Sequence, residues 1–300
     1  TSTLGMTGVV LGLVEAGTEG WTGGVTLAAL GLGLVLLGLF VHTEARAEEP
    51  ILPLRLVAHP TRTTANLARG LVYAGMYGMF FYMSQFLQDV QGLSPLRAGI
   101  AFLPVPASVF LASQLTSRIL DRRLPEKVVM MTGIALAAAG MLLATQVHAG
   151  TSYWQVLASL VLLGTGSGIS FVSLTSASLA QVGPDDAGAA SGLINVSQQV
   201  GAAVGLAVLV STFGLVTGHQ QLSAQAHSAA LRHAHILLVH GVDTVFGLGA
   251  LFALAALVLV AAVVRMPGAA KGTSPAPVVA LERAESREPR FREGSEARVG

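Results

Sequence analysis

Long apolar runs constrain this sequence more than any other feature. Residues 25–41 and 248–264 are almost continuously apolar, and a helix needs about 20 such residues to cross the hydrocarbon core of a bilayer. Strands of a membrane barrel would instead alternate polar and apolar residues. Because only helices and closed barrels satisfy their backbone in hydrocarbon, the runs predict transmembrane helices. They lie near 1–15, 24–42, 65–88, 98–118, 127–147, 154–181, 188–216 and 241–264.

The composition favours a polytopic membrane protein and excludes other classes. Charged residues make up only 11% of the chain and hydrophobic residues 52%, so the chain cannot cover its own surface in water. The net charge of +1 provides no basic face for nucleic acid. The absence of cysteine excludes disulfides and thiolate metal sites. We therefore expect an all-α membrane protein with no metal, no cofactor and no nucleic-acid partner.

The ends of the chain and its basic residues predict its orientation. The first apolar run is too short to span a bilayer, and Thr1 lies within it, so we expect the C-terminal portion of a longer protein, cut within a helix. If this run is directed outward, all of the 17 lysines and arginines except Arg97 and Arg232 fall on the cytoplasmic side. This distribution predicts a cytoplasmic C-terminus. Proline and mixed charge predict a disordered cytoplasmic tail over 266–300.

The segment 184–207 predicts a helix with one small and polar face. Pro184 and the two acids after it mark a helix start. Two small-xxx-small pairs in the segment predict close packing against another helix. These pairs are Gly188 with Gly192 and Gly201 with Gly205. Asn195 and Gln198 share this face, and because an unpaired amide in lipid is costly, they either bond a neighbouring helix or face a wet cavity.

A polar and aromatic stripe follows the start of the helix predicted near residue 65. At steps of three or four residues, one face carries Asn66, Arg69, Tyr73, Tyr77 and Phe81. Arg69 has an alternative, because an arginine near the end of a span often snorkels to the interface. A cavity for apolar or cationic ligands favours such a stripe, whereas a lipid-facing surface does not. We therefore expect these five residues, with Asn195 and Gln198, to line a substrate cavity.

Catalytic motifs are missing where an enzyme would need them. The glycine-rich stretch 164–168 lacks the spacing of a nucleotide-binding loop. No pair of carboxylates lies deep within a predicted span. The one marked irregularity is the pair Pro104 and Pro106, which predicts a kink or break within its span. We therefore do not expect an enzyme.

Three motifs, in order, give the sequence a family resemblance. They are Pro50-Ile51-Leu52-Pro53-Leu54-Arg55-Leu56, then Gln85-Phe86-Leu87-Gln88 with the stretch 92–99, and then 184–207. The set resembles the major facilitator superfamily, and more narrowly its fourteen-helix drug:proton antiporters of the EmrB/QacA type. The resemblance implies two extra central helices, the first truncated, and a cytoplasmic loop over 1–60. It further implies a C-terminal six-helix bundle over 61–265 and the tail over 266–300.

The resemblance extends in part to a cytoplasmic loop. Asp121 and Arg122 match the loop motif that the family often repeats here, whereas Ser117 and Leu124 replace its glycines. The family's proton-coupling acids belong to an N-terminal half that this sequence does not include.

The resemblance also implies a function. We expect the C-terminal part of a proton-coupled multidrug efflux antiporter, located in the plasma membrane, which is the inner membrane of a cell that has two. Its partners would be the lipid bilayer, an amphipathic small-molecule substrate, protons and the missing N-terminal six-helix half. A dedicated exporter of one metabolite or antibiotic is one alternative. A non-transporting membrane scaffold or sensor is another, from a different class.

Overall fold

The structure is a computed structural model that describes residues 2–18, 20–47, 54–120, 123–148, 150–217 and 228–264. All regular secondary structure in these ranges is helical, which confirms the predicted fold class. The helices are α1 (Ser2–Thr18), α2 (Gly24–Glu44), α3 (Leu54–Ala58), α4 (Pro60–Gln85), α5 (Pro95–Phe102), α6 (Pro104–Leu115), α7 (Glu126–Ala144), α8 (Tyr153–Leu179), α9 (Ala187–Thr217) and α10 (Ser228–Val263). The predicted tail and the loop residues Asp121 and Arg122 lie outside the described residues.

Proline and serine define several helix starts. Pro60, Pro95 and Pro104 occupy the first positions of α4, α5 and α6, where a missing backbone N–H costs nothing. Ser94 and Ser152 accept hydrogen bonds from the first turns of α5 and α8. The predicted break is found at Leu103, between α5 and α6.

Most of the predicted spans are long and apolar enough to cross a membrane. Six such helical segments occur in the described residues, and they include α2, α7 and α8. The helix α4 is long enough to cross a membrane, because its 26 residues extend about 39 Å. It is nevertheless not among the six segments, because its mean hydropathy is too low. The prediction that the span near 65–88 is mainly apolar was therefore wrong, although the segment is helical. The physical reason is burial, because Arg62, Asn66 and Arg69 in the first half of α4 direct their side chains to α8.

The helices α4 and α8 form the centre of the bundle. They pack against each other, α4 also packs against α9 and α10, and α8 packs against α6 and α7. The helices α7 and α10 contact each other behind this pair. Exchanging α4 with α8, α6 with α9 and α7 with α10 reproduces these pairings. The bundle thus contains two three-helix units with matching pairings, although the packing of α9 against α10 has no counterpart of similar extent between α6 and α7.

Glycine permits the closest of these contacts. A Cβ atom at Gly166 of α8 would lie 2.2 Å from the backbone nitrogen of Ala137 on α7. A Cβ atom at Gly75 of α4 would lie 2.7 Å from the carbonyl oxygen of Gly249 on α10. Such close backbone approach is the usual way in which helices associate in lipid, where no hydrophobic effect drives them together.

The outer surface is apolar, as a bilayer requires. On α2, the side chains of Leu32, Leu34 and Val35 are each more than 60% exposed. In the last described helix, α10, the side chain of Val258 is 67% exposed. A surface so rich in exposed aliphatic side chains is unusual for a soluble monomer. Together with the six long apolar segments, it identifies a multi-pass membrane protein.

The first two helices form an antiparallel pair beside the bundle. A Cβ atom at Gly33 of α2 would lie 2.6 Å from the backbone nitrogen of Val9 on α1. The helix α1 also packs against α9, where the hydroxyl of Ser211 donates a hydrogen bond to the carbonyl oxygen of Ala16 over 3.4 Å. These contacts join the two helices to the bundle through α9.

Candidate substrate cavity and its polar face

The guanidinium of Arg69 lies buried within the bundle. Arg69 is the tenth residue of α4 and therefore lies about 14 Å along the helix from its start. Its side chain has no exposed surface. The snorkelling alternative is therefore wrong for Arg69, because the side chain points across to α8 rather than back to the membrane interface.

The contacts of Arg69 are few for a buried charge. Its Nη2 atom donates a hydrogen bond of 2.7 Å to the hydroxyl of Thr175 on α8. Its guanidinium carbon lies 5.5 Å from the ring centroid of Phe171, one turn earlier on the same helix. Its Nε and Nη1 atoms are buried without a hydrogen-bond partner in the described part of the chain.

Asn66 lies one turn before Arg69 and also faces α8. Its side chain is 5% exposed, and its Oδ1 atom accepts a hydrogen bond of 3.2 Å from the hydroxyl of Ser178. Its Nδ2 atom is buried and has no partner among the described residues. Asn66 and Arg69 together leave three buried nitrogen atoms at the α4–α8 contact with unused donors.

The aromatic part of the stripe is more open. Tyr77 is 40% exposed and Phe81 is 44% exposed, whereas Tyr73 is half-buried. The rings of Tyr73 and Tyr77 lie 6.2 Å apart. The face of α4 therefore changes from buried polar groups near its start to accessible aromatic rings in its second half.

The two predicted amide residues of α9 do not join this face. Asn195 is exposed and its Nδ2 atom donates to the carbonyl oxygen of Ser191 on its own helix, 3.2 Å away. Gln198 is half-buried. An apolar groove of about 420 Å³ lies between α4 and α9. Asn66 lines it. Several described residues of α9 also line it, among them Val196, Ser197 and Val200, but Asn195 and Gln198 do not.

The four predicted packing glycines divide into two pairs. A Cβ atom at Gly201 would lie 2.3 Å from the carbonyl oxygen of Gly70 on α4, and one at Gly205 would lie 2.3 Å from Ala74. A Cβ atom at Gly188 or Gly192 would have no heavy atom of another helix within 4 Å in the part of the chain that the structure describes. Within this chain, the second half of α9 thus makes the close contact and its first half does not.

Sequence reasoning missed a second buried arginine. Arg62 is 5% exposed and donates hydrogen bonds of 3.0 Å to the carbonyl oxygens of Ser178 and Ala180. These carbonyls end α8, so Arg62 neutralises the negative end of that helix. Only its position near the start of α4, shared with many unremarkable arginines, could have suggested this role.

Two motifs that are far apart in the sequence meet on the same side of the bundle. Arg55 of α3 forms a salt bridge of 2.9 Å with Asp186 in the turn before α9. Arg55 lies in the first of the three motifs described above, and Asp186 in the third. Within the described residues, no three histidine, aspartate or glutamate side chains come close enough to hold a metal ion.

Comparison with known proteins identifies the family. The sequence profile of the Major Facilitator Superfamily matches residues 2–206, about two thirds of the chain. The chain belongs to this superfamily. The predicted family is confirmed, and membership indicates a transporter rather than an enzyme.

The superfamily relatives of this chain include named resistance and export proteins. It is 34% identical to the puromycin resistance protein pur8 of Streptomyces alboniger, over 68% of this chain and 41% of that protein. It is 32% identical to a multidrug resistance protein B homolog of Mycobacterium tuberculosis, over 66% and 37% of the two chains. It is 32% identical to the cephamycin export protein CmcT of Amycolatopsis lactamdurans, over 75% and 47%. The chain thus spans less than half the length of these superfamily members.

Proposed function

We propose that this chain is the C-terminal part of a proton-coupled exporter of amphipathic small molecules in the plasma membrane. One observation carries the proposal. A membrane bundle retains an arginine without exposed surface beside a row of accessible aromatic rings, although burying an unpaired charge costs several kcal/mol. Intramembrane ionisable groups that persist at such a cost generally mark a transport pathway. The names of the relatives, which concern drug resistance and export, agree with this role.

We assign the predicted residues to one half of the substrate cavity. Asn66, Arg69 and Tyr73 would form its polar end, and Tyr77 and Phe81 its aromatic wall. Asn195 and Gln198 stay as further candidates on α9, on a different face from the groove. The other half of the cavity would come from the N-terminal six-helix half expected from the resemblance. The C-terminus would lie in the cytoplasm.

Accumulation of a neutral fluorescent amine tests the function. Cells that lack their major efflux pumps would carry the complete gene or an empty vector, and N-phenyl-1-naphthylamine would be added. We expect lower accumulation with the complete protein, and we expect a protonophore to abolish the difference. Equal accumulation in both strains, at confirmed membrane abundance, would contradict the proposal.

A pair of variants separates the cavity from the lipid-facing surface. Tyr77→Ala removes an exposed ring from the proposed cavity wall, and Val258→Ala removes an exposed side chain from α10. We expect Tyr77→Ala to alter efflux by severalfold at unchanged abundance, whereas Val258→Ala should leave it unchanged. Equal effects of the two variants would exclude the α4 face as the cavity.

A dedicated exporter of one compound is the second candidate. Two of the relatives are named for single antibiotics, puromycin and cephamycin. A panel of unrelated amphipathic compounds distinguishes the candidates, because a multidrug exporter lowers the accumulation of several and a dedicated one of a single compound. A membrane scaffold or sensor would change none of them.

A further inference from the structure

Among the described residues, no acidic side chain forms a salt bridge with the buried Arg69. The helices α4, α8 and α9, which form the face around Arg69, contain no aspartate or glutamate. In the described part of the chain, Arg69 takes part in no salt bridge, and its one hydrogen bond goes to a neutral hydroxyl. The side chain therefore carries a full positive charge with unused N–H donors in a site of low dielectric.

The surroundings of Arg69 suit a ligand with an aromatic or aliphatic body. Tyr73 and Tyr77 follow Arg69 at steps of four residues along α4, with their rings 6.2 Å apart. Phe171 lies over the guanidinium, 5.5 Å away, and is itself 45% exposed. The ring of Phe171 thus contacts the guanidinium and is also part of the accessible surface.

We propose that Arg69 anchors an acidic group, a carboxylate or sulfonate, of an amphipathic aromatic substrate. The Nε and Nη1 atoms have unused donors on two edges of the guanidinium, and the second N–H of Nη2 lies between them, so either one together with Nη2 offers the bidentate geometry that matches such oxyanions. The aromatic residues Tyr73, Tyr77 and Phe171 would hold the apolar body of the same molecule. The inference rests on the proposed function, which it deepens by naming a substrate class. It differs from the expected cavity for apolar or cationic ligands, because a fixed positive charge would repel a cation.

The test compares two probes that share one scaffold. The anion 1-anilinonaphthalene-8-sulfonate and the neutral N-phenyl-1-naphthylamine differ by the sulfonate group. Their binding to the complete, purified protein is measured by equilibrium dialysis in detergent, with protein-free micelles subtracted. In the wild-type protein we expect the anion to bind at least as tightly as the neutral probe, although it is the more water-soluble of the two.

Four variants identify the group that is responsible. Arg69→Gln should weaken binding of the anion about tenfold or more, as expected for loss of a charge-assisted hydrogen bond, and leave the neutral probe within about twofold. Arg69→Lys keeps the charge and should retain part of the preference. Thr175→Val removes a contact of Arg69 without removing its charge and should retain the preference for the anion. Phe171→Ala removes a ring that would contact the body shared by the two probes, so it should weaken both alike and leave their ratio unchanged.

The outcomes separate this inference from the proposed function. Unchanged binding of the anion by Arg69→Gln would overturn the inference and would indicate that Arg69 pairs with another part of the protein. Should Arg69→Gln not fold, a wild-type protein that prefers the neutral probe would overturn it equally. Anion binding that depends on Arg69, without export of either probe when the accumulation assay is run with both, would support the inference and refute the proposed function.

Discussion

Gly201 offers a direct test of how α4 and α9 pack. Gly201→Ala would place a Cβ atom 2.3 Å from the carbonyl oxygen and 2.4 Å from the Cα atom of Gly70. Both are backbone atoms, so no side-chain rotation can relieve the overlap, and the two helices must separate by about 1 Å to reach ordinary contact. Overpacking of this kind costs about 1–3 kcal/mol. Alanine also favours a helix over glycine by up to about 1 kcal/mol, which offsets part of that cost.

Gly192→Ala on the same helix is the matched control. It carries the same gain in helix propensity, but its new Cβ atom has no heavy atom of another described helix within 4 Å. Gly247→Ala on α10, also in open space, is a second control. The difference between Gly201→Ala and the controls should therefore equal the packing cost of about 1–3 kcal/mol. Unfolding of the purified proteins by dodecyl sulfate in mixed micelles measures this difference in the free energy of unfolding. Gly201→Ala as stable as both controls would refute the described α4–α9 contact.

Further predictions concern the ends of the helices. Arg62→Gln should lower the free energy of unfolding by about 2–3 kcal/mol, because the carbonyl groups of Ser178 and Ala180 at the end of α8 lose a charged donor. Arg97→Gln, at an exposed position, should change the free energy of unfolding little. Equal effects of the two variants in the same micelle assay would contradict the capping role. Arg55→Gln should cost less than about 1 kcal/mol, and high salt should remove the difference, because the Arg55 side chain of this pair is 72% exposed, although that of Asp186 is only 17% exposed. A larger, salt-independent loss would contradict this. A reporter fused after Lys271 should be active only on the cytoplasmic side, and activity outside the cell would reverse the predicted orientation.

The sequence sufficed for the architecture because hydrocarbon imposes simple rules on it. A run such as 25–41 must be helical to satisfy its backbone, and the structure has α2 at Gly24–Glu44. Pro104 cannot continue a regular helix, and the break lies at the residue before it. The polar face of α4 was also visible, since a period of three to four residues follows directly from helix geometry.

The sequence did not suffice where the outcome depends on which helix lies opposite. Gly192 and Gly201 occur in the same motif type, yet only Gly201 meets another backbone in the structure. Arg69 has enough length to reach the interface or the neighbouring helix, and its contact with Thr175 follows from the position of α8. Arg62 likewise acquires its role from the end of a helix more than 100 residues away. Spacing within one helix contains none of this information.

Labelling of single cysteines tests most directly whether the α4 face lines a wet cavity. The chain contains no cysteine, so Tyr77→Cys and Val258→Cys each introduce one thiol at a position that is exposed in the structure. The complete protein in native membranes would be treated with a water-soluble methanethiosulfonate, with the denatured protein as the measure of full reactivity. We predict that Tyr77→Cys reacts and Val258→Cys does not, because water reaches the first and lipid covers the second. Equal reactivity of the two thiols, or reaction of Val258→Cys alone, would contradict the account.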